Sequence, residues 1–190
     1  MNNIILTQCF HGTTQENAQE ILNTKRFMVK KRKDHWLGTG VYFFLEDIDK
    51  AKWFVRSNPY YKGKTKCVLA TTVTVPQEKY LNLDTEKGRH ELNSFINDFK
   101  EMQPSVTLNP EINNDNSSRH CFYIDMFRRY NNYLACKYTF TNTKTIKSEN
   151  INAEVFNERS LSTAILNNNI QLCVFDQGLI DFTSVREIMI

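Results

Sequence analysis

Four short segments carry side chains and backbone that could act on a small ligand: His11-Gly12-Thr13 near the start, Gly38-Thr39-Gly40-Val41-Tyr42, Trp53, and Gln171 near the end. A histidine nitrogen can bond a hydroxyl. A glycine bares its backbone, so that one N–H and one C=O can approach a polar group closely. Tyrosine and tryptophan offer aromatic faces that attract a flat cationic ring. A basic run, Lys30-Lys31-Arg32-Lys33, falls between the first two segments. Taken singly, each feature has a plainer reading. His11-Gly12 reads as a turn before a helix capped by Thr14, Tyr42 as strand core, Trp53 as a helix aromatic packed on a sheet, and the basic run as a solvated face. His35, His90 and His120 are isolated and receive no role. The five scattered cysteines lack C-x-x-C spacing, and His120-Cys121 is not spaced for a metal, so no metal site and no disulfide framework is expected.

The elements that must position these residues follow from patterning. Apolar residues over 4–10 give a strand, and Thr14 caps a helix over 15–23. A basic loop follows, then a strand over 41–45 and a helix over 48–56 capped by Asp47. Residues 66–75 are a Val- and Thr-rich strand, which 80–83 continue after a bend. Leu92, Phe95, Ile96 and Phe99 set the apolar stripe of a helix opened by Thr85. Residues 103–118 are polar and read as a surface loop. Ser117 or Ser118 caps a further helix reaching about residue 136. Strands follow over 138–146 and 170–175, residues 150–168 are mixed and polar, and the tail from 179 adds one more strand. The chain of 190 residues is 41% hydrophobic and 12% aromatic, enough for one globular domain over 1–190. The net charge of +3 suits an anionic ligand without requiring a nucleic acid. No signal peptide and no membrane span is legible, so a cytoplasmic protein without a membrane partner is expected.

In order and spacing, the four segments resemble the catalytic core of the ADP-ribosyltransferases of the poly(ADP-ribose) polymerase and diphtheria-toxin-like clade. Phe10-His11-Gly12-Thr13 is similar to the family's H-G-[ST]. Gly38-Thr39-Gly40-Val41-Tyr42-Phe43 is similar to G-x-G-[IV]-Y-F, and Ala51-Lys52-Trp53 supplies the second aromatic eleven positions after Tyr42. Gln171-Leu172-Cys173-Val174-Phe175-Asp176 matches the late strand that normally opens with glutamate. The resemblance covers residues 4–83 and 170–185; the middle matches nothing nameable. It implies an α+β fold with a split antiparallel or mixed sheet, flanking helices and a helical insertion at about 84–137. It implies NAD as co-substrate and no metal. His11, Tyr42 and Gln171 take the catalytic positions. His11, Gly12, Thr13, Tyr42 and Trp53 hold the donor, with nicotinamide between Tyr42 and Trp53 and with Lys31 and Arg32 on the pyrophosphate.

Glutamine at 171 keeps a hydrogen-bonding shape but loses the charge that stabilises an oxocarbenium ion. Asp176 or Glu154 could substitute for it. The departure favours transfer of single ADP-ribose units over polymer elongation. It leaves a silent NAD- or ADP-ribose-binding module as the alternative. RNA 2′-phosphotransfer on a related fold is a third class, but it needs arginines around the histidine motif that this chain lacks. A macromolecular acceptor is expected, nucleic acid being slightly favoured over protein because of Lys30–Lys33 and of Arg128, Arg129, Tyr130 and Tyr133, which could stack an unpaired base. The compact chain, rich in Asn, Lys and Ile, fits a bacterial or phage toxin or antiphage defence effector, with room for an antitoxin or inhibitor partner.

Overall fold

The computed structural model describes residues 2–29, 35–102, 115–145 and 163–190. Seven strands and four α-helices lie among them, in the order β1 (Asn3–Thr14), α1 (Gln15–Thr24), β2 (Val41–Leu45), α2 (Ile48–Ser57), β3 (Lys66–Pro76), β4 (Tyr80–Asn82), α3 (Glu86–Met102), α4 (Asn116–Asn131), β5 (Ala135–Thr145), β6 (Thr163–Val174) and β7 (Ile180–Met189). The class is α+β. Local chemistry sets many of the ends. The Thr14 side chain accepts from Asn17 N–H and Asp47 accepts from Lys50 N–H, each satisfying a donor that the helix start leaves open. Lys25, at φ 50°, turns the chain out of α1.

The strands pair in the order β4-β5-β6-β2-β1-β3-β7, antiparallel except for β4 with β5. Residues 80–83 do not prolong β3, as their apolar character suggests; Tyr80–Asn82 form β4, at the far edge of the order. Only Gln77–Lys79 separate β3 from β4. From Pro76 to Tyr80 the backbone reaches at most about 14 Å, whereas five strand spacings across a flat sheet span about 24 Å. The sheet must therefore curl. One face holds Cys9, Phe43, Leu45, Leu69, Val73, Leu172 and Val174 in a core completed by Ala18 and Ile21 of α1. The other face carries α2 over Phe10, Val68 and Ala70, and α3 and α4 over Leu81, Cys136 and Cys173.

The sheet is split where β1 meets β2. These strands pair only at Cys9 with Leu45 and Phe10 with Phe44. Beyond that, β1 continues along β3 as far as Thr14 opposite Lys66, while β2 continues along β6 as far as Val41 opposite Val174. The two halves diverge and leave a cleft. Between β4 and β5 the described chain is helical. The cap of α4 is Asp115 rather than Ser117 or Ser118; its carboxylate accepts from Ser118 N–H, and the Ser117 hydroxyl donates to it. The helix stops at left-handed Asn132, φ 57°, well before residue 136. Ala135 and Cys136 are fully buried and open β5, so sheet pairing overrides the aromatic run that reads as continuous helix.

Candidate active site

The divergence of β1 from β2 opens a cavity of about 430 Å³, within the roughly 300–1,000 Å³ of small-ligand sites. His11, Gly12, Tyr42, Asn169 and Gln171 all line it, brought from three strands. Aromatic rings form most of the remaining wall, among them Phe27, Trp36, Phe44, Phe54, Tyr61 and Phe140. Among the described residues, no Asp, Glu, Lys or Arg lines the cavity. It is a neutral, aromatic site in which polar groups are few and fixed.

Strand alternation aims the Gly12 backbone. The Gln8 carbonyl accepts from Glu46 N–H on the β2 side, and backbone polar groups of residues two apart point the same way. The N–H and C=O of Gly12 therefore face the side where β2 has turned away. The missing side chain matters for a second reason: a Cβ at this position would lie 2.5 Å from the Ala51 carbonyl oxygen and 3.2 Å from Val55 Cβ. Gly12 thus lets α2 lie directly on β1, and α2 supplies Phe54 to the wall.

His11 Nδ1 lies 2.8 Å from the Tyr42 carbonyl oxygen. A carbonyl only accepts, so Nδ1 carries the proton, and in the neutral ring Nε2 is the acceptor nitrogen. Phe27 and Phe43 pack edge-on against the imidazole, with ring centres 5.1 and 5.9 Å away. Phe27 is itself clamped by Gln177, whose side-chain amide donates to Phe27 O and accepts from Phe27 N–H. A two-bond clamp from a residue 150 positions away holds the ring that orients His11.

Tyr42 is held by its hydroxyl, which donates to Gly38 O at 2.8 Å and accepts from Leu37 N–H at 2.9 Å. Burial first, then the neighbouring Cys173, pushes the phenol far above its ordinary range, so it stays neutral. The His35 ring stacks on the Tyr42 ring with centres 4.8 Å apart. The turn under Tyr42 needs both glycines. Gly38 sits at φ +90°, and a Cβ on Gly40 would meet Val174 O at 2.5 Å. Between them, Thr39 is gripped by Asp125 of α4: Thr39 N–H donates to Oδ1 at 2.9 Å and its hydroxyl to Oδ2 at 2.7 Å. Arg128 Nε donates to the same Oδ1 at 3.0 Å, and its guanidinium lies over the Phe175 ring. Burial would raise the Asp125 carboxyl, but these bonds outweigh it and hold it below the usual range.

Gln171 pairs with Phe44 on one side and Tyr138 on the other, and Asn169 lies two residues earlier on the same face. Asn169 Oδ1 is shielded from solvent and has no hydrogen-bond partner among the described residues, a state that costs about 1–3 kcal/mol if a ligand does not relieve it. Asn169 belongs to none of the sequence motifs; only its spacing of two from Gln171 points to the cavity. Nothing in the local sequence of His35 shows that it will meet Tyr42.

Other expected residues lie elsewhere. Thr13 is 2% exposed, its hydroxyl accepts from the Asn17 amide, and it does not line the cavity. Trp53 is 63% exposed and also outside the lining. On α2 the inward positions are Ala51 and Val55, so the ring that reaches the cavity is Phe54 and not Trp53. Lys31 and Arg32, with Lys30 and Lys33, lie outside the described residues, as does Glu154. Asp176 caps the turn at Gly178 and is not in the lining. Arg128 is bound to Asp125, and the Tyr133 hydroxyl donates to Glu91; of the basic and aromatic cluster on α4, Tyr130 is the exposed ring.

All five cysteines are buried and none is in a disulfide. Among the described residues, no three His, Cys, Asp or Glu side chains gather as a metal would require, and no helix is long and apolar enough to cross a membrane. No protein-family model matches the chain, and no solved structure matches it. An uncharacterized protein of Methanocaldococcus jannaschii is 33% identical over 57 residues, which is 30% of this chain and 24% of that protein. The similarity thus spans about a quarter of the relative's length.

Proposed function

We propose that this chain binds NAD⁺ in the cleft between β1 and β2 and transfers single ADP-ribose units from it to a macromolecular acceptor. The observation that carries this reading is the convergence of His11, Gly12, Tyr42 and Gln171, up to 160 positions apart in sequence, on one neutral cavity walled by aromatic rings. Each polar group suits one part of the donor. The Gly12 N–H and C=O complement a carboxamide, which needs one donor and one acceptor. The acceptor nitrogen of His11 suits a ribose hydroxyl. A wall of rings around a flat cationic nicotinamide stabilises it without a counter-ion.

In the reaction, the bond from ribose C1 to nicotinamide breaks with its electron pair on nicotinamide, which leaves neutral. An acceptor nitrogen or oxygen forms the new bond and gives up a proton. Gln171 can bond the ribose 2′-OH, but it supplies a dipole and not a charge. Much of the catalysis then rests on positioning a dissociative step. The neutral lining also favours a second reading, a module that binds NAD⁺ or ADP-ribose without turnover. The proposed setting is cytoplasmic, as a toxin or antiphage effector restrained by an antitoxin or inhibitor. The acceptor is nucleic acid in preference to protein.

The test is NAD⁺ labelled on the adenylate, incubated with the protein with and without cell extract, followed by nuclease or protease digestion. Nicotinamide release with label on a macromolecule supports transfer. Binding of NAD⁺ with no release supports the silent module. Absence of both refutes the reading.

A further inference from the structure

A second cavity, of about 340 Å³, adjoins the first. Trp36 and Phe140 line both, so the two cavities meet at these rings. Its other polar and aromatic walls come from the segment that separates the two motif-bearing parts of the chain: Arg89 and Asn93 on α3, His120 on α4 and Tyr138 on β5. The rings converge. Trp36 and His120 have centres 5.6 Å apart at 34°, and Tyr138 meets Phe140 edge-on at 4.9 Å. The indole of Trp36 is 39% exposed, so the mouth of the cavity presents a flat face. Arg89 is a fixed cation, donating from Nη1 to Leu83 O and Asp84 O.

We infer that this second cavity is the acceptor subsite and that its occupant is an unpaired nucleobase of a single-stranded nucleic acid. The inference rests on the ADP-ribose transfer reading. Flat walls select a flat guest, since every base has a face that stacks on aromatic rings. The exposed Asn93 amide can both donate to and accept from a base edge. Among the described residues no carboxylate lines the cavity, so a lysine or arginine acceptor side chain would find no counter-charge and would face Arg89. That same cation favours a phosphate-bearing chain. A cavity of this size holds a base only when it is out of the stack, which excludes an intact duplex. The meeting of the two cavities at Trp36 and Phe140 brings the guest beside the donor ribose. A base nitrogen or exocyclic amine then forms the bond to ribose C1 as the bond to nicotinamide breaks with its electron pair on nicotinamide. The proton released passes to His120, the titratable base in this lining. Burial, and then Arg119, hold the His120 imidazole below its ordinary value and so in the neutral, proton-accepting form.

The test uses the full chain with two independent readouts. The first is anisotropy of fluorescent single-stranded DNA and RNA 12-mers of mixed sequence, without NAD⁺. The second is transfer of labelled ADP-ribose to the same oligonucleotides, beside nicotinamide release from NAD⁺ alone. The variants are Trp36→Ala, His120→Ala and Asn93→Trp, the last filling the cavity from an exposed position, with the fold of each checked by circular dichroism. Oligonucleotide binding is expected to weaken at least about fivefold in Trp36→Ala and Asn93→Trp, the loss of one stacked base. Transfer of ADP-ribose to the oligonucleotides should fall by more in all three variants. If wild-type protein releases nicotinamide but neither binds nor labels the oligonucleotides, or if Asn93→Trp labels them as well as wild type, the subsite is wrong and the donor reading stands. If the oligonucleotides bind and the variants weaken them while NAD⁺ neither binds nor reacts, the base site stands and the donor reading falls. Label carried only by protein in extract overturns the inference.

Discussion

Replacing Asp125 by alanine removes one carboxylate that ties α4 to the turn under Tyr42. Three bonds from nitrogen and oxygen donors end on it, from Thr39 N–H, the Thr39 hydroxyl and Arg128 Nε, at 2.9, 2.7 and 3.0 Å, beside a weak one from the Cys121 thiol. The Asp125 and Arg128 side chains are 18% and 20% exposed, so solvent screens the pair only partly. Bonds to charged groups contribute about 1.5–3 kcal/mol each, but three on one carboxylate are not additive. Breaking a largely buried pair costs about 3–5 kcal/mol, and the residual exposure places the expected loss at about 3–4 kcal/mol. For a chain of this size that is a fall in Tm of about 6–16 °C. Asp125→Asn keeps an oxygen for Thr39 N–H and an amide opposite its hydroxyl, losing only the charge toward Arg128, so it should cost about 1–2 kcal/mol. The sign with pH follows from the depressed carboxyl. Its stabilisation is complete above the unfolded value, about 3.9, and is lost as pH falls through the lower folded value. Urea unfolding at pH 7 and at pH 3 measures each variant. The damage should reach the cleft as well, because the Tyr42 hydroxyl is bonded to Gly38 and Leu37 of the same turn. An Asp125→Ala protein within about 1 kcal/mol of wild type at pH 7, or one no more damaged than Asp125→Asn, would refute this account of the turn.

Gly12→Ala drives a Cβ into the Ala51 carbonyl, so α2 must shift. Thermal unfolding should show a loss of about 1–3 kcal/mol, and titration calorimetry should show weaker NAD⁺ binding as Phe54 moves. Trp53→Ala should leave NAD⁺ affinity within about twofold, because the indole faces solvent, whereas Phe54→Ala should weaken it about tenfold; the same calorimetry ranks them. Gln171→Ala should lower transfer by about a hundredfold, as for a lost transition-state hydrogen bond, while Gln171→Glu should raise NAD⁺ hydrolysis. Gel analysis should show single units and no polymer ladder. Asp84 accepts from Lys137 Nζ at 2.8 Å and from Thr139 N–H and hydroxyl. Burial opposes its ionisation, but these bonds prevail and hold it below the usual range. Stability should therefore fall as pH drops below about 4, and Asp84→Asn should flatten that fall in an acid titration followed by circular dichroism.

Much of the frame was legible in the sequence because its causes are local. Thr14 and Asp47 cap helices through their own next turn, the Val- and Thr-rich run of β3 is a strand wherever it lies, and Leu92, Phe95, Ile96 and Phe99 mark one helix face by spacing alone. The grouping of His11, Gly12, Tyr42 and Gln171 could be read from motif order, since β1, β2 and β6 are neighbours in the sheet. What no local pattern contains is how strands from distant positions lie against one another. The parallel pairing of β4 with β5, and the curl it forces, depend on contacts across more than fifty residues. The rotation of α2 is decided by its descent onto Gly12, and that turns Phe54 inward and Trp53 outward. His35 on Tyr42, Asp125 on Thr39 and Gln177 on Phe27 are meetings of residues with no periodic relation to one another. Spacing along a chain specifies the faces of single elements; only packing of those faces against each other chooses which side chains share a cavity.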